Sequence, residues 1–182
     1  DTYEINFKER PFGDIKKITE SNLSQIPKHD LLLAGFPCQA FSNAGKRKGF
    51  NDTRGTLFYD IEKILAFHKP KAFLLENVKG LRSHDDGETL RIILEVLRGT
   101  LGYYVPEPEV LNSKDFGVPQ NRQRIYIVGF LEKNNFQYPK PTREPTKVGD
   151  ILEPGRVPNK YTISDKLWAS HKARKQRNKL NG

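Results

Sequence analysis

An α/β fold, a sheet with helices packed on its faces, is predicted by three features of this 182-residue sequence. Short apolar runs at Leu31–Ala34, Ala72–Leu75 and Arg124–Phe130 have the length and composition of buried strands. Stretches with apolar residues every three or four positions lie between them. Glycines and prolines punctuate the boundaries, and strands alternating with helices are the mark of this class.

The first run, Leu31-Leu32-Leu33-Ala34, gives way to Gly35, and the second, Ala72-Phe73-Leu74-Leu75, to Glu76. Between them Leu57, Ile61, Ile64, Leu65 and His68 recur at helical spacing, with Pro70 as a stop signal. This β-loop-α-β order predicts two parallel strands joined by a right-handed crossover. A second helix is predicted from Leu90, Ile93, Leu94, Leu97 and Leu101, ended by Gly102; Tyr103-Tyr104-Val105 follows, and later the strand Arg124–Phe130. From about Leu131 the sequence turns proline-rich (Pro139, Pro141, Pro145, Pro154, Pro158) and loses periodicity until Ser164. Residues 1–130 are therefore expected to form the core and residues 131–182 a linker with the start of another domain.

Composition narrows the class. Hydrophobic residues make up 36% of the chain, enough for a buried core. The longest apolar runs are far shorter than the roughly 18–20 residues that span a bilayer, so a soluble, non-membrane protein is expected. No export signal is evident at the N-terminus. The single cysteine cannot form an internal disulfide. Without methionine and with Asp1 first, the chain reads as a piece of something longer. Net charge is +9, and residues 166–182 hold six Lys/Arg and no acid. Such a tail suits a polyanion, because phosphate contacts release counterions, and it equally suits a solvated terminus.

In open sheets of this kind ligands sit beyond the carboxyl ends of the strands. Phe36-Pro37-Cys38 and Glu76-Asn77-Val78 lie just past two such ends. Cys38 alone reads as a packed thiol or as a nucleophile. Its position after a strand, the stiff Pro37 and a cationic neighbourhood favour the thiolate. Glu76 is a strand end facing solvent or, beside Cys38, a carboxyl that hands a proton to a ring nitrogen. In Pro119-Gln120-Asn121-Arg122-Gln123-Arg124 an extended backbone puts Gln120, Arg122 and Arg124 on one face, suited to an oxygen-rich ligand or to a surface ion-pair ladder.

Between the first strand and the first helix, residues 36–55 form a long segment with Gly45, Gly49 and Gly55, the cluster Lys46-Arg47-Lys48, and Arg54. Loops of that length inside compact domains are usually functional or disordered. The simplest combined reading is a mobile basic lid beside the cysteine. His29, His68, His84 and His171 lack metal-ligand spacing, and no phosphate-cradling glycine motif occurs, so no metal is expected.

Taken together, these segments resemble the DNA cytosine-C5 methyltransferase family, in the family's own order. Gly13-Asp14-Ile15 is similar to its cofactor-adenine motif and Gly35-Phe36-Pro37-Cys38-Gln39-Ala40-Phe41-Ser42 to its nucleophile motif. Arg54-Gly55-Thr56-Leu57-Phe58-Tyr59-Asp60-Ile61, Glu76-Asn77-Val78 and Gln120-Asn121-Arg122-Gln123-Arg124 follow, so the resemblance covers roughly residues 1–130. It implies a Rossmann-like sheet of the S-adenosylmethionine-dependent methyltransferases, with helices on both faces and incomplete at both ends. The family's opening Phe-x-Gly-x-Gly turn and nearly all of its target-recognition domain have no counterpart here. Residues 145–182, with Tyr161-Thr162-Ile163-Ser164 and Trp168, resemble the entry to that domain.

The resemblance implies methyl transfer from S-adenosyl-L-methionine to C5 of cytosine in double-stranded DNA, with Cys38 attacking C6 of a flipped-out base. Glu76 would serve N3 and the exocyclic amine, and Arg122 and Arg124 the O2 side. Asp14, Ile15, Pro37 and Leu57 would border the cofactor, and Ser42, Lys46, Arg47, Lys48 and Arg54 would meet DNA. A restriction-modification role in the bacterial cytoplasm, associated with the nucleoid, is implied, with a complementary chain as partner if the enzyme is split. The isolated piece is expected to be inactive. Transfer to tRNA and a non-catalytic nucleic-acid-binding module are the alternatives.

Overall fold

The computed structural model describes residues 2–37, 57–142, 144–155 and 157–180. The chain forms two compact units, Asp1–Thr146 and Lys147–Gly182. Elements of the first unit are α1 (Thr2–Phe7), α2 (Ile15–Ser21), β1 (Leu31–Gly35), α3 (Leu57–His68), β2 (Ala72–Val78), α4 (Glu88–Glu95), β3 (Glu109–Asn112) and β4 (Gln123–Phe130).

The strands form one sheet in the order β1-β2-β4-β3. As the β-loop-α-β order predicts, β1 and β2 are parallel, with Leu31 beside Ala72 and Gly35 beside Glu76. β4 runs antiparallel to both β2 and β3. Strand residues alternate between the faces. Phe73 and Leu75 of β2 and Ile125 and Ile127 of β4 are at most 1% exposed and form the floor of the core. α3 lays Phe58, Ile61 and Leu65 over this floor, and α4 with its continuation adds Ile93, Val96 and Leu97. Each such side chain contributes about 1.5–3 kcal/mol when withdrawn from water.

Helix ends fall where the punctuation predicts. Lys69 takes a left-handed φ of +44° after α3 and donates its N–H to Leu65 O at 3.0 Å, and Pro70 then forbids another turn. α4 runs into a widened π-helical turn, Val96–Thr100, that ends at Gly102 with φ +75°. Tyr103 follows, its ring edge-on to Phe73 and its hydroxyl donating to Pro70 O at 2.9 Å. Tyr103-Tyr104-Val105 makes only a single bridge, Tyr104 to Phe130.

Two features go beyond the sequence reading. β3 is a four-residue strand between the proline-containing stretch 106–108 and the turn at 113–116. Gly129 of β4 lies opposite Phe73, and a Cβ at this position would overlap the Phe73 ring. Glycine here serves close approach, since its φ is not left-handed.

The other sheet face holds Leu31, Leu33 and Gly35 of β1 and Leu74 and Glu76 of β2, and Leu31 and Leu33 are 52% and 66% exposed. After β4 the chain folds back. Phe136 packs on Phe130, the Tyr138 hydroxyl donates to Tyr126 O at 2.9 Å, and Thr142 N–H donates to Asp115 O at 2.9 Å, so the first unit extends through Thr146.

The second unit holds two short helical turns, Val148–Ile151 and Asn159–Tyr161, and then α5 (Asp165–Leu180). The basic terminal stretch is thus helical, with Lys172 Nζ 5.2 Å from the centroid of the Trp168 ring. Among the described residues no helix is long and apolar enough to cross a membrane.

Candidate active site

The parallel pair β1 and β2 brings two strand ends to one rim. Phe36 extends the pairing by donating its N–H to Glu76 O at 3.4 Å. The Phe36 side chain is 6% exposed and packs on Phe58 with ring centroids 5.7 Å apart. That anchor fixes the exit of the chain from β1, and the next residue, Pro37, is exposed at the rim. Cys38 lies outside the described residues, as do Ser42, Lys46, Arg47, Lys48 and Arg54.

Glu76 is the first polar residue after the apolar run of β2, on the face away from the core. Arg124 Nε lies 2.8 Å from Glu76 Oε1, and an Arg122 guanidinium nitrogen lies 3.6 Å from the same oxygen. The direction of β4 produces this meeting: an antiparallel strand starts where its neighbour ends, so Arg124 stands beside Val78 and Tyr126 beside Glu76. Two guanidiniums share one carboxylate, which leaves a net positive charge at the rim. Glu76 Oε2 lies 3.3 Å from the position a Cβ would take on Gly35. The alternation that places Arg122 and Arg124 on one face is met; Gln120 instead contributes its carbonyl, which accepts from Ser113 Oγ at 2.6 Å.

Asp14 caps α2: its Oδ1 accepts from Lys16 N–H at 3.0 Å, and the carboxylate is otherwise exposed. Ile15 opens α2 and Leu57 opens α3, both half-buried. The two helices are latched by Thr19, whose hydroxyl donates to Asp60 Oδ1 at 2.5 Å in a buried contact, while Lys63 Nζ lies 3.5 Å from the same oxygen. An acidic side chain and two apolar ones thus stand at the starts of these latched helices, able respectively to accept from an adenine amino group and to pack on its ring. Among the described residues no group of three or more His, Cys, Asp or Glu is placed to hold a metal ion.

Several residues important to this geometry were not singled out by the sequence reading. Asp60 sits three positions after Leu57, inside the apolar stripe of α3, and an acid in such a stripe signals a buried partner. Asn77 is 2% exposed, with Oδ1 accepting from Val78 N–H at 2.8 Å and Nδ2 without a partner among the described residues. Asn112, 6% exposed, ends β3 and bonds to the loop that precedes β4.

An α/β sheet thus gathers a carboxylate and two arginines at its strand ends, and Cys38 follows one of those ends in sequence. The family model for the C-5 cytosine-specific DNA methylase matches residues 1–182, and the chain belongs to that family. It is 54% identical over 185 residues to the Type II methyltransferase M.HpaII of Haemophilus parainfluenzae, covering 100% of this chain and 51% of that protein. Against the Type II methyltransferase M.HaeII of Haemophilus aegyptius it is 58% identical over 166 residues, 91% of this chain and 51% of the other. The chain therefore spans about half the length of the curated relatives it matches. In fold it is similar to the S. pombe Dnmt2 methyltransferase, with a TM-score of 0.60 and 21% identity over 92% of this chain and 52% of that one.

Proposed function

We propose that the intact protein carrying this chain transfers a methyl group from S-adenosyl-L-methionine to C5 of cytosine in duplex DNA, as the modification enzyme of a bacterial restriction-modification system. The observation that carries this reading is the Glu76–Arg124–Arg122 cluster at the strand ends, one residue position from the peptide that leads into Pro37-Cys38. Family membership and the Type II relatives support the substrate.

C5 of cytosine is a poor nucleophile inside an aromatic ring. Attack of the Cys38 thiolate on C6 forms a carbon–sulfur bond and moves the C5–C6 electron pair to C5, which then behaves as an enamine carbon. Glu76 hydrogen-bonds or protonates N3 and receives the exocyclic amine, so negative charge does not accumulate on the ring. Arg124, supported by Arg122, holds the O2 side. S-adenosyl-L-methionine, when bound, supplies the methyl group taken by C5; Asp14 accepts from its adenine amino group, and Ile15, Leu57 and Pro37 cover the ring. Loss of the C5 proton to solvent returns the electron pair, expels the thiolate and restores the aromatic ring.

These groups cannot reach C6 in stacked DNA, so the base leaves the duplex. Lys46, Arg47, Lys48 and Arg54, with Ser42, would meet phosphates around it. The same reading puts the enzyme in the cytoplasm with the nucleoid. Duplex DNA carrying 5-fluorocytosine, which blocks proton loss, should trap a covalent adduct with the intact protein and none with Cys38→Ser. Absence of the wild-type adduct, or transfer of label to tRNA with DNA unlabelled, would overturn this reading.

A further inference from the structure

We infer that Asn112 is a positioning residue for the two arginines, and that it acts by clamping the backbone of Arg122. This inference rests on the proposed role of Arg122 and Arg124 and deepens it. Asn112 is 6% exposed and ends β3, opposite Gln123 of β4. Its Oδ1 accepts from Arg122 N–H at 3.0 Å and from Lys114 N–H at 3.3 Å, and its Nδ2 donates to Asn121 Oδ1 at 2.7 Å. From the next residue, Ser113 N–H donates to Arg122 O at 3.1 Å, and Ser113 Oγ donates to Gln120 O at 2.6 Å. Both peptide groups of Arg122 are thus held by two adjacent residues.

The clamp ties to β3 a loop whose own bonds are local: Val118 N–H donates to Ser113 O at 3.3 Å, Gln120 N–H to Val118 O at 2.7 Å, and the Arg122 N–H is shared between Asn112 Oδ1 and Gln120 O, each at 3.0 Å. The loop begins at Gly117 with φ +78°, and Val118 is 44% exposed. Arg122 precedes β4, where the sheet ladder does not yet fix the chain, and its guanidinium is the more distant of the two from Glu76, at 3.6 Å against 2.8 Å for Arg124. Without Asn112 the Arg122 N–H would keep only the Gln120 carbonyl of its own loop, Ser113 would be the remaining tie to β3, and the arginines would approach Glu76 and the base with less fixed geometry. A buried amide that bonds Arg122 and Asn121 of the loop flanking the carboxylate, and Lys114 of the turn after β3, has a use beyond packing.

Asn112→Ala and Asn112→Asp in the intact protein separate positioning from bulk stability. The aspartate keeps the acceptor for Arg122 and Lys114, and the Asn121 amide can turn to donate to it. Turnover on duplex DNA should fall about tenfold or more for Asn112→Ala, the loss expected from a displaced catalytic group. The KM for the methyl donor should change little, and Asn112→Asp should recover most of the loss. In an Arg122→Ala, Arg124→Ala background, Asn112→Ala should cost less than about threefold, because the groups it orients are gone. Equal losses in both backgrounds, or wild-type turnover by Asn112→Ala, would overturn the inference. Amide exchange at Arg122 tests it without reference to activity: exchange should rise about tenfold or more in Asn112→Ala at unchanged melting temperature. Unchanged exchange would also overturn the inference, whereas a wild-type protein that methylates no DNA but shows the accelerated exchange would fail only the proposed function.

Discussion

The shortest contacts of Glu76 to both arginines run to one oxygen, Oε1. Two guanidiniums thus converge on a single carboxylate oxygen. The Arg124 contact runs through Nε, at 2.8 Å, a position that a lysine ammonium cannot reproduce together with the rest of the planar fork. Arg124→Lys should therefore lower single-turnover methyl transfer on duplex DNA by about 100-fold despite the conserved charge, a loss typical of removing one preorganised donor. A change below threefold would mean that Arg124 acts only as a distant positive charge. The strand-end positions of Glu76 and Arg124 were legible in sequence, whereas Cys38, singled out there by its place within the Gly-Phe-Pro-Cys run, lies outside the described residues. Asn112 was not legible, because an asparagine near a turn has many uses and its partners, Arg122 and Asn121, are set by tertiary contact.

At the scale of elements, strands and helices with strong periodicity were readable. The apolar stripe of α3, the run of β2 and the stop at Pro70 all depend on local chemistry. The direction of β4 was not readable, since a period of two is the same in either sense. β3 was hidden by its length of four residues and by its pattern of exposure, Glu109 outward and only Asn112 buried. Element packing also yields a stability test at Gly129. Phe73 fills the space where a side chain at 129 would stand, so Gly129→Ala forces the ring or the β2–β4 pairing to shift. Unfolding in urea should show a loss of about 1–3 kcal/mol, the usual cost of overpacking, and Phe73→Leu should relieve part of it. An unchanged midpoint would show that the ring can yield freely.

Across the whole molecule, charge is spread unevenly, and the sequence showed this directly. Of the net +9, the stretch 166–182 holds six cations and no acid, and it lies largely in α5. Lys166, Lys172 and Arg174 are exposed on that helix. If these cations meet DNA phosphates, replacing the three by glutamine should flatten the dependence of log affinity on log salt by up to about 0.9 per lost contact, without altering which sequences are preferred. Fluorescence anisotropy titrations at several ionic strengths measure the slope. An unaltered slope would assign the three cations to a solvated surface. What the sequence could not convey at this scale is the division at Thr146, which depends on Tyr138 and Thr142 returning to residues far earlier in the chain.

The antiparallel entry of β4 also bears on how the protein reaches its working form. β3 and β4 are separated by a short loop and can pair early, bringing Arg122 and Arg124 into register at small entropic cost. The carboxylate they need lies on β2, some fifty positions earlier in the chain, and is secured only by the long-range β2–β4 ladder. An assembly step of high contact order therefore completes the charge cluster, with the closing of the sheet.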